Sequence, residues 1–518
     1  MKYKLLSLIL LLAFSFFSCT KLDEELRGSA TYDQAQQIAD VNALLITAYD
    51  GLSEAYVNAD NVWGLSEHST DEAVPPTRGT DWGDNGNWIA LHSHTWNSEN
   101  PRINGAFNSL LKVVFSATNT LNFQPSTQQA AEARFLRAFA MFSVADLFGQ
   151  VPFREPGENL LNAPKVLNGV DAINFIISEL NAILPSLPEG ASVPAYQANK
   201  NAARVLLMKC YLNKGVFANR EAPTFAVEDM DKVISLANEI TGYTLANNFF
   251  DNFAPNNNAI SKENIFTLEN IEGNPRSKGD NGNRVKTAWR STLHYNQKPD
   301  GWNGFTTLAD FYDKFEASDT RRGVSYPGIT DKTGLRLGFL IGQQFDASGN
   351  QIKQRGGAPL AFTRDVKLVE TGPNLETTGI RVLKYAPDYD PEKGYTDKTN
   401  PDNDWVFYRY ADVLLMKAEA LIRKNNDVAN ALPLVNQIRT KRGASSLTTL
   451  NLTSIYDERG RELYWESSRR QDMIRFGTFL QPNALKPNVS PKKCLLFPIP
   501  NTALAVNPNL KQNDGYTQ

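Results

Sequence analysis

Histidine, cysteine and surplus positive charge are all scarce in this sequence of 518 residues. Its four histidines form no His-Glu-x-x-His zinc motif, and its three cysteines have no metal-ligand spacing. A Gly-x-Ser-x-Gly nucleophile elbow and a phosphate loop are also missing. The formal net charge of -3 gives no sign of the basic surface that nucleic acids require. We therefore expect no cofactor, no metal site, no catalytic residues and no nucleic-acid partner.

The N-terminus carries an apolar run, Leu5–Phe17, that is too short to cross a bilayer, which needs roughly 20 residues. Behind Lys2 and Lys4 it is typical of a secretory signal peptide. Ser18 and Cys19 end the run, and lipoprotein signal peptidase requires a small residue before an acylated cysteine. We expect residues 1–18 to be removed and Cys19 to be acylated, with 19–30 as a linker. The alternative is ordinary cleavage beside an incidental cysteine.

Helical periodicity dominates three stretches, at about 32–57, 103–242 and 405–479. Within the second stretch it predicts helices at 103–121, 127–148, 170–184, 199–214 and 227–241. The segment Val205–Lys209 repeats as Val413–Lys417, and each copy is followed by a second amphipathic helix. A helical pair cannot bury its apolar face alone, so stacked pairs of the tetratricopeptide type are favoured. The alternative is an irregular helical bundle.

Between about 246 and 403 the sequence is rich in Gly, Pro, Asn and Asp, with short candidate strands at 264–268, 335–341 and 380–385. So long a connection usually carries function. We predict a mainly α fold: a scaffold of helical hairpins at about 31–245 and 404–480 bearing a large, irregular, loop-rich subdomain. Residues 31–518 would form one domain.

Tryptophan placement points to a binding site. Most of the eight tryptophans occupy polar, poorly periodic sequence, namely Trp63, Trp82, Trp88, Trp96, Trp289 and Trp302. A sugar stacks its C–H faces on an indole ring while its hydroxyls bond to nearby amides and carboxylates. We expect at least two of these six rings to face ligand. The alternative is that they fasten long loops to the helical body.

Other clusters favour structural explanations. His92 and His94 could place two imidazoles on one side of a strand, but no third ligand is indicated, and exposed loop histidines are the simpler interpretation. The charged stretch Glu458–Arg475 predicts a structural ion-pair network rather than an active site. Cys210 lies in an apolar helical pattern and is expected in the core.

Several motifs, taken in order, resemble the SusD/RagB family of outer-membrane nutrient-binding lipoproteins of Bacteroidetes. They are Ala131–Ala140, Leu147–Phe153, Arg409–Ala420, Val435–Arg439, Glu458–Leu463, Arg470–Gly477, Leu496–Pro500 and Asn507–Asn513. Gly460 and Ser467-Ser468 depart slightly from the family pattern. The acidic run Asp23–Glu25 also resembles the export signal of surface lipoproteins in that group.

The resemblance implies four tetratricopeptide-like pairs and a non-catalytic protein that captures an oligosaccharide or polysaccharide at a loop face. It implies a lipid-anchored outer-membrane location facing the cell exterior, and a SusC-like TonB-dependent transporter as partner. It suggests Asp71, Arg78, Asp81, Trp82 and Trp88 as ligand-binding residues, whereas Tyr295 and Trp302 rest on composition. The alternatives are a peptide- or glycopeptide-binding member of the same family and a surface glycosidase.

Overall fold

The computed structural model describes residues 39–270, 284–394, 396 and 401–517. The signal peptide, Cys19 and the start of the helix expected at 32–57 lie outside the described residues. Residues Val41–Gln518 group into a single compact unit.

The first half of the chain is built from helices whose ends are marked by capping residues. Asn100 accepts a hydrogen bond from the backbone N–H of Arg102 at the start of one long helix, and Ser126 forms a capping box with Gln129 at the next. Gly149, with φ of 75°, ends that second helix. The helices are α1 (Val41–Leu52), α2 (Val62–His68), α3 (Asn87–Ser93), α4 (Pro101–Leu121), α5 (Thr127–Phe148), α6 (Gly169–Ile183), α7 (Lys200–Ala218) and α8 (Val227–Glu239).

The loop-rich segment contains only short elements. Its helical turns are α9 (Asn257–Ile260), α10 (Thr287–Arg290), α11 (Ala309–Tyr312) and α12 (Thr330–Thr333). The strands of the described chain are β1 (Thr77–Arg78), β2 (Gln150–Phe153), β3 (Lys165–Asn168), β4 (Asn264–Leu268), β5 (Gly323–Val324), β6 (Leu337–Leu340), β7 (Gly342–Gln343), β8 (Ala361–Phe362), β9 (Val369–Glu370), β10 (Arg381–Leu383) and β11 (Trp405–Arg409). They form small sheets: β1 with β9, β10-β6-β5, β11 with β4, β2 with β3 and β7 with β8.

The C-terminal part returns to helices, which are α13 (Tyr410–Asn425), α14 (Val428–Lys441), α15 (Leu452–Leu463), α16 (Arg469–Arg475) and α17 (Asn501–Val506). One expectation is wrong here, because the predicted helical stretch began at 405, whereas Trp405–Arg409 is a strand. Its aromatic and β-branched residues pair antiparallel with β4, which overrides the local helical pattern.

The helices pack as pairs, as the repeated sequence predicts. α5 packs against α6, α7 against α8, and α13 against α14. In addition, α1 packs against α4, and α8 contacts α13, which links the α7–α8 pair to the α13–α14 pair. Stacking the pairs buries their apolar faces in a large core that includes Cys210 and in a second, smaller cluster at α13 and α14. The prediction of a mainly α fold with few short strands is confirmed.

The charged stretch around α15 and α16 is a buried ion-pair network, as predicted. Glu462 contacts three guanidinium groups, with nitrogen–oxygen distances of 2.7 Å to Arg409 and 2.8 Å to both Arg321 and Arg442. These pairs compensate the desolvation of charge because each partner is fully enclosed. Within the described ranges, no helix combines the length and apolarity that crossing a membrane demands.

Candidate functional site

The two tryptophan-bearing segments meet at one place on the molecule. The loop that joins α2 to α3 crosses the chain around α10, where Val74 and Thr306 form a backbone bridge. The indole Nε1 of Trp82 donates a hydrogen bond of 2.9 Å to the carbonyl oxygen of Trp302. Tyr295 donates its hydroxyl to Asp81 at 2.8 Å. Four of the residues suggested from the sequence therefore come together in space.

The six loop tryptophans divide into two groups. Trp63, Trp88, Trp96 and Trp289 are buried, while Trp82 is partly buried and Trp302 remains 39% exposed. The burial of Trp63, Trp96 and Trp289 agrees with the packing alternative for these three rings. Two of the buried rings have distant partners that local sequence does not reveal: the indole of Trp63 donates to the carbonyl oxygen of Trp465, and that of Trp96 donates to the hydroxyl of Tyr516.

Trp82, Trp88 and Trp302 line a pocket of about 380 Å³, which we call the aromatic pocket. Trp88 is only 2% exposed and contributes one wall, with its Nε1 donating to Asp84 at 2.5 Å. The remaining lining residues are Asn58, Ala59, Asp60, Lys286, Thr287, Arg290, Ser291 and Phe305. A concave site of this size with apolar rings and a few polar groups is typical of small-molecule binding.

Two residues beside the aromatic pocket have a left-handed backbone. Trp82 has a φ of 60°, in the region that bulky L residues rarely adopt, and Asn303 has a φ of 53°, which asparagine tolerates more readily. Gly304 permits close approach of the indole, since a Cβ built there would lie 2.4 Å from two ring carbons of Trp82. Such strain persists only where the surroundings impose it, and it clusters at ligand-binding sites.

A second cavity of about 250 Å³, the polar pocket, is lined by Asp81 and Tyr295 on one side and by Arg355 and Glu376 on the other. The Arg355 guanidinium lies 4.1 Å from the ring centroid of Tyr295 and pairs with Glu376 at 2.7 Å. Its other lining residues are Arg78, Thr80, Asn303, Gln354, Gly356, Pro373 and Leu375.

Two titratable groups of the polar pocket, Tyr295 and Glu376, have shifted pKa values that determine their protonation. Burial and the hydrogen bond to Asp81 raise the pKa of the Tyr295 hydroxyl to about 12, so it remains a donor. Burial acts to raise the pKa of Glu376, but hydrogen bonds from Arg355 and His294 outweigh it and lower the pKa. A glycosidase needs a carboxylic acid whose pKa is raised, and Glu376 departs in the opposite direction.

The polar atoms of Asp71 and Arg78 bind other parts of the protein. Asp71 makes a bidentate pair with Arg469, with both contacts at 2.7 Å, and lines neither pocket. Arg78 is buried and donates to the carbonyls of Gly304, Leu375 and Thr378, which places it as a brace between the two loops.

The expectation of exposed loop histidines is wrong. His92 and His94 are buried at the end of α3, where their Nε2 atoms contact the carbonyl oxygens of Ala484 and Ser69. Burial lowers the pKa of both rings. In the part of the chain that the structure describes, no cluster of three or more histidine, cysteine or carboxylate side chains could hold a metal ion.

Sequence reasoning missed several residues of the two pockets, including Phe305, Lys286, Arg290, Arg355 and Glu376. Lys286 and Arg290 lie close to Trp289 in the sequence, and Phe305 lies close to Trp302. This proximity could have identified them as pocket residues. Arg355 and Glu376 belong to distant loops that carry no tryptophan, and only the folded chain brings them to Tyr295.

Comparison with known proteins agrees with the fold and with the sequence motifs. Residues 262–488 match the SusD family. The starch-binding protein SusD of Bacteroides thetaiotaomicron is 25% identical over 464 residues, covering 84% of this chain and 82% of that protein. SusD-like protein P2 of Formosa agariphila is 24% identical and matches 99% of this chain and 100% of its own length.

The fold is shared with solved SusD-like proteins. A laminarin-binding SusD-like protein superposes with a TM-score of 0.68 at 19% identity, over 92% of this chain and 99% of its own. At this identity the likeness concerns the fold alone. The family match over residues 262–488, the relatives aligned over most of their length and the common fold confirm the predicted resemblance to the SusD/RagB family.

Proposed function

We propose that this protein is a non-catalytic cell-surface lipoprotein that captures a glycan at the aromatic and polar pockets. The observation that carries the proposal is the junction of Trp82 with Trp302, where a partly buried ring and an exposed ring line a cavity of about 380 Å³. An indole offers a rigid apolar face for a sugar ring and has few bonds to immobilise.

The strained backbone supports a binding role for this junction. A left-handed tryptophan costs about 1–3 kcal/mol and would not persist without a benefit elsewhere. Trp82 and Trp302 would provide the stacking surfaces, and Trp88 would form the floor. Asp81 and Tyr295 would exchange hydrogen bonds with sugar hydroxyls, while Arg78 holds the loops together. Asp71 has a positioning role through Arg469.

The known relatives favour glycan as the ligand class. One relative is named for starch binding and one structural neighbour for laminarin binding, and both are glucans. A neighbour from Bacteroides uniformis is named a surface glycan-binding protein. These names describe binders rather than enzymes, which supports capture without turnover.

The anchoring and delivery steps complete the proposal. Acylated Cys19 would tether the protein to the outer membrane with its pockets facing the cell exterior, and the captured glycan would pass to a SusC-like TonB-dependent transporter. The support is the apolar run that ends at Ser18-Cys19, together with the match of residues 262–488 to the SusD family. No nucleic acid takes part in this scheme.

Two alternative functions, peptide binding and glycoside hydrolysis, would give different results in binding and turnover experiments. A peptide or glycopeptide ligand would use the same rings but would depend on hydrogen bonds to a peptide backbone. A surface glycosidase would require a proton donor among the pocket carboxylates, and the lowered pKa of Glu376 acts against that role.

The test is a binding and turnover screen of the soluble protein that begins after Cys19. We expect at least one class of oligosaccharide to bind in a calorimetric titration, and no new reducing ends to appear on prolonged incubation. Peptide binding without saccharide binding would replace the glycan by a peptide. Reducing ends that accumulate in proportion to protein concentration would contradict the non-catalytic role.

A further inference from the structure

One wall of the aromatic pocket is cationic. Lys286 and Arg290 stand one helical turn apart at α10, and both line the pocket beside Trp82 and Trp302. The Arg290 guanidinium lies 4.9 Å from the ring centroid of Trp302, so the charge sits against the surface on which a sugar would stack.

Among the residues that the structure describes, two carboxylates near this wall are already paired with arginines. Asp300 contacts Arg290 at 3.1 Å, and Asp60, which also lines the pocket, contacts Arg102 at 3.2 Å. Lys286 has no ion pair within 4.0 Å among the residues that the structure describes, although its side chain is half-buried. The pocket lining therefore holds two cations and one carboxylate, and that carboxylate shares Arg102, outside the lining, with Asp84.

The lowered pKa of Lys286 agrees with its lack of an ion pair among the described residues. Burial and the nearby Arg290 charge lower the pKa of Lys286, and Asp300 opposes them only in part. A half-buried ammonium without a counter-ion is stabilised when an anion arrives, and charge-assisted hydrogen bonds to carboxylate or sulfate oxygens are stronger than neutral ones. An anionic substituent on a sugar stacked at Trp302 would meet both cations.

We propose that the aromatic pocket selects acidic saccharides, with Lys286 and Arg290 contacting a carboxylate or a sulfate ester on the bound sugar. This inference rests on the proposed function, since it assigns the ligand class of the same pocket. Trp82 and Trp302 supply stacking, which any glycan can use, and the cationic wall supplies the preference among glycans.

The experiment titrates the soluble wild-type protein with three probes of similar length: an oligogalacturonate, a sulfated carrageenan oligosaccharide and neutral maltohexaose. We expect at least one acidic probe to bind tenfold or more tightly than the neutral one, with affinity that falls as salt rises from 50 to 500 mM. The two acidic probes distinguish a carboxylate from a sulfate.

Substitution then identifies the cation responsible. Lys286→Gln keeps a polar side chain of similar length, and we expect it to weaken the acidic probe about tenfold while a neutral probe changes less than twofold. Lys232→Gln, at an exposed position on α8 that lines neither pocket, is the matched control and should bind as wild type.

The outcomes separate the two proposals. Binding of maltohexaose as tight as that of both acidic probes, or an unchanged acidic affinity in Lys286→Gln, overturns the acidic preference and leaves glycan capture standing. Failure of all saccharides to bind overturns both.

Discussion

The indole of Trp82 and the backbone of Trp302 are joined by a hydrogen bond of 2.9 Å, although 220 positions separate them in the sequence. This bond locks the α2–α3 loop to the segment around α10, and the two loops together form the pocket walls. Gly304 makes the junction possible, because only a residue without a Cβ leaves room for the Trp82 ring.

Gly304→Ala should therefore displace the Trp82 ring. The added Cβ would lie 2.4 Å from the indole and 2.8 Å from the carbonyl oxygen of Ser291, and overpacking of this kind costs about 1–3 kcal/mol. We expect glycan affinity to fall about tenfold or more by calorimetry. Gly83→Ala is the control, since its Cβ would make only an ordinary contact of 3.9 Å with Thr77. Equal binding by both variants would show that the position of Trp82 does not matter.

Trp88→Ala should act chiefly on stability. The ring is almost fully enclosed, packs edge-on against Phe305 and carries the Arg102 guanidinium 4.3 Å from its centroid. Removing such a ring costs about 3–5 kcal/mol. We expect a clear drop in melting temperature, with Trp302→Ala as the matched exposed variant that melts near wild type. A Trp88→Ala protein as stable as wild type would mean that the ring is not part of the core.

The contribution of Glu67 to stability should become more unfavourable as the pH rises towards 7. Burial raises the pKa of its carboxyl to about 7, above the value of about 4.3 expected in the unfolded chain. The unfolded state therefore loses its proton first, and folding is penalised increasingly between roughly pH 4.3 and 7.

Glu67→Gln should remove that penalty, since an amide does not ionise. We expect the variant to gain on the order of 2 kcal/mol relative to wild type between pH 5 and pH 8 in denaturant titrations. Glu99→Gln, at an exposed site, should show no such gain. A constant difference between the Glu67 variant and wild type across this range would contradict a protonated Glu67.

Cys19→Ala should release the protein from membranes. A single acyl chain binds a bilayer only marginally, so stable attachment depends on the multiply acylated cysteine. We expect the variant in the soluble fraction when it is expressed without its transporter. Ser18→Ala keeps a small residue before the cysteine and is the control that should remain anchored. Retention of Cys19→Ala after a high-salt wash would contradict the lipid anchor.

The helical scaffold could be predicted from the sequence because its signals are local. Thr127–Phe148 agrees with the predicted bounds at both ends, since Ser126 caps its start and Gly149 ends it. Trp405–Arg409 was misassigned because pairing with β4, more than a hundred positions away, determines its conformation.

Only part of the two pockets could be predicted from the sequence, because several lining residues are brought together by contacts between distant segments. The clustering of tryptophans in polar sequence correctly indicated where two loops would meet. It could not distinguish the buried Trp63, which stacks on Phe305 and packs edge-on against Trp465, from the exposed Trp302, because burial depends on partners remote in the sequence. No sequence pattern around Arg355 or Glu376 predicted that these residues would line a pocket.

The most direct test of the account is a calorimetric titration of wild type, Trp82→Ala and Trp302→Ala with an oligosaccharide that the wild type binds. Loss of a central stacking ring should cost about 2 kcal/mol or more, which corresponds to roughly thirtyfold weaker binding. Melting curves establish that each variant is folded. We predict that both folded variants bind at least thirtyfold more weakly than wild type; wild-type affinity in both would contradict capture at the Trp82–Trp302 junction.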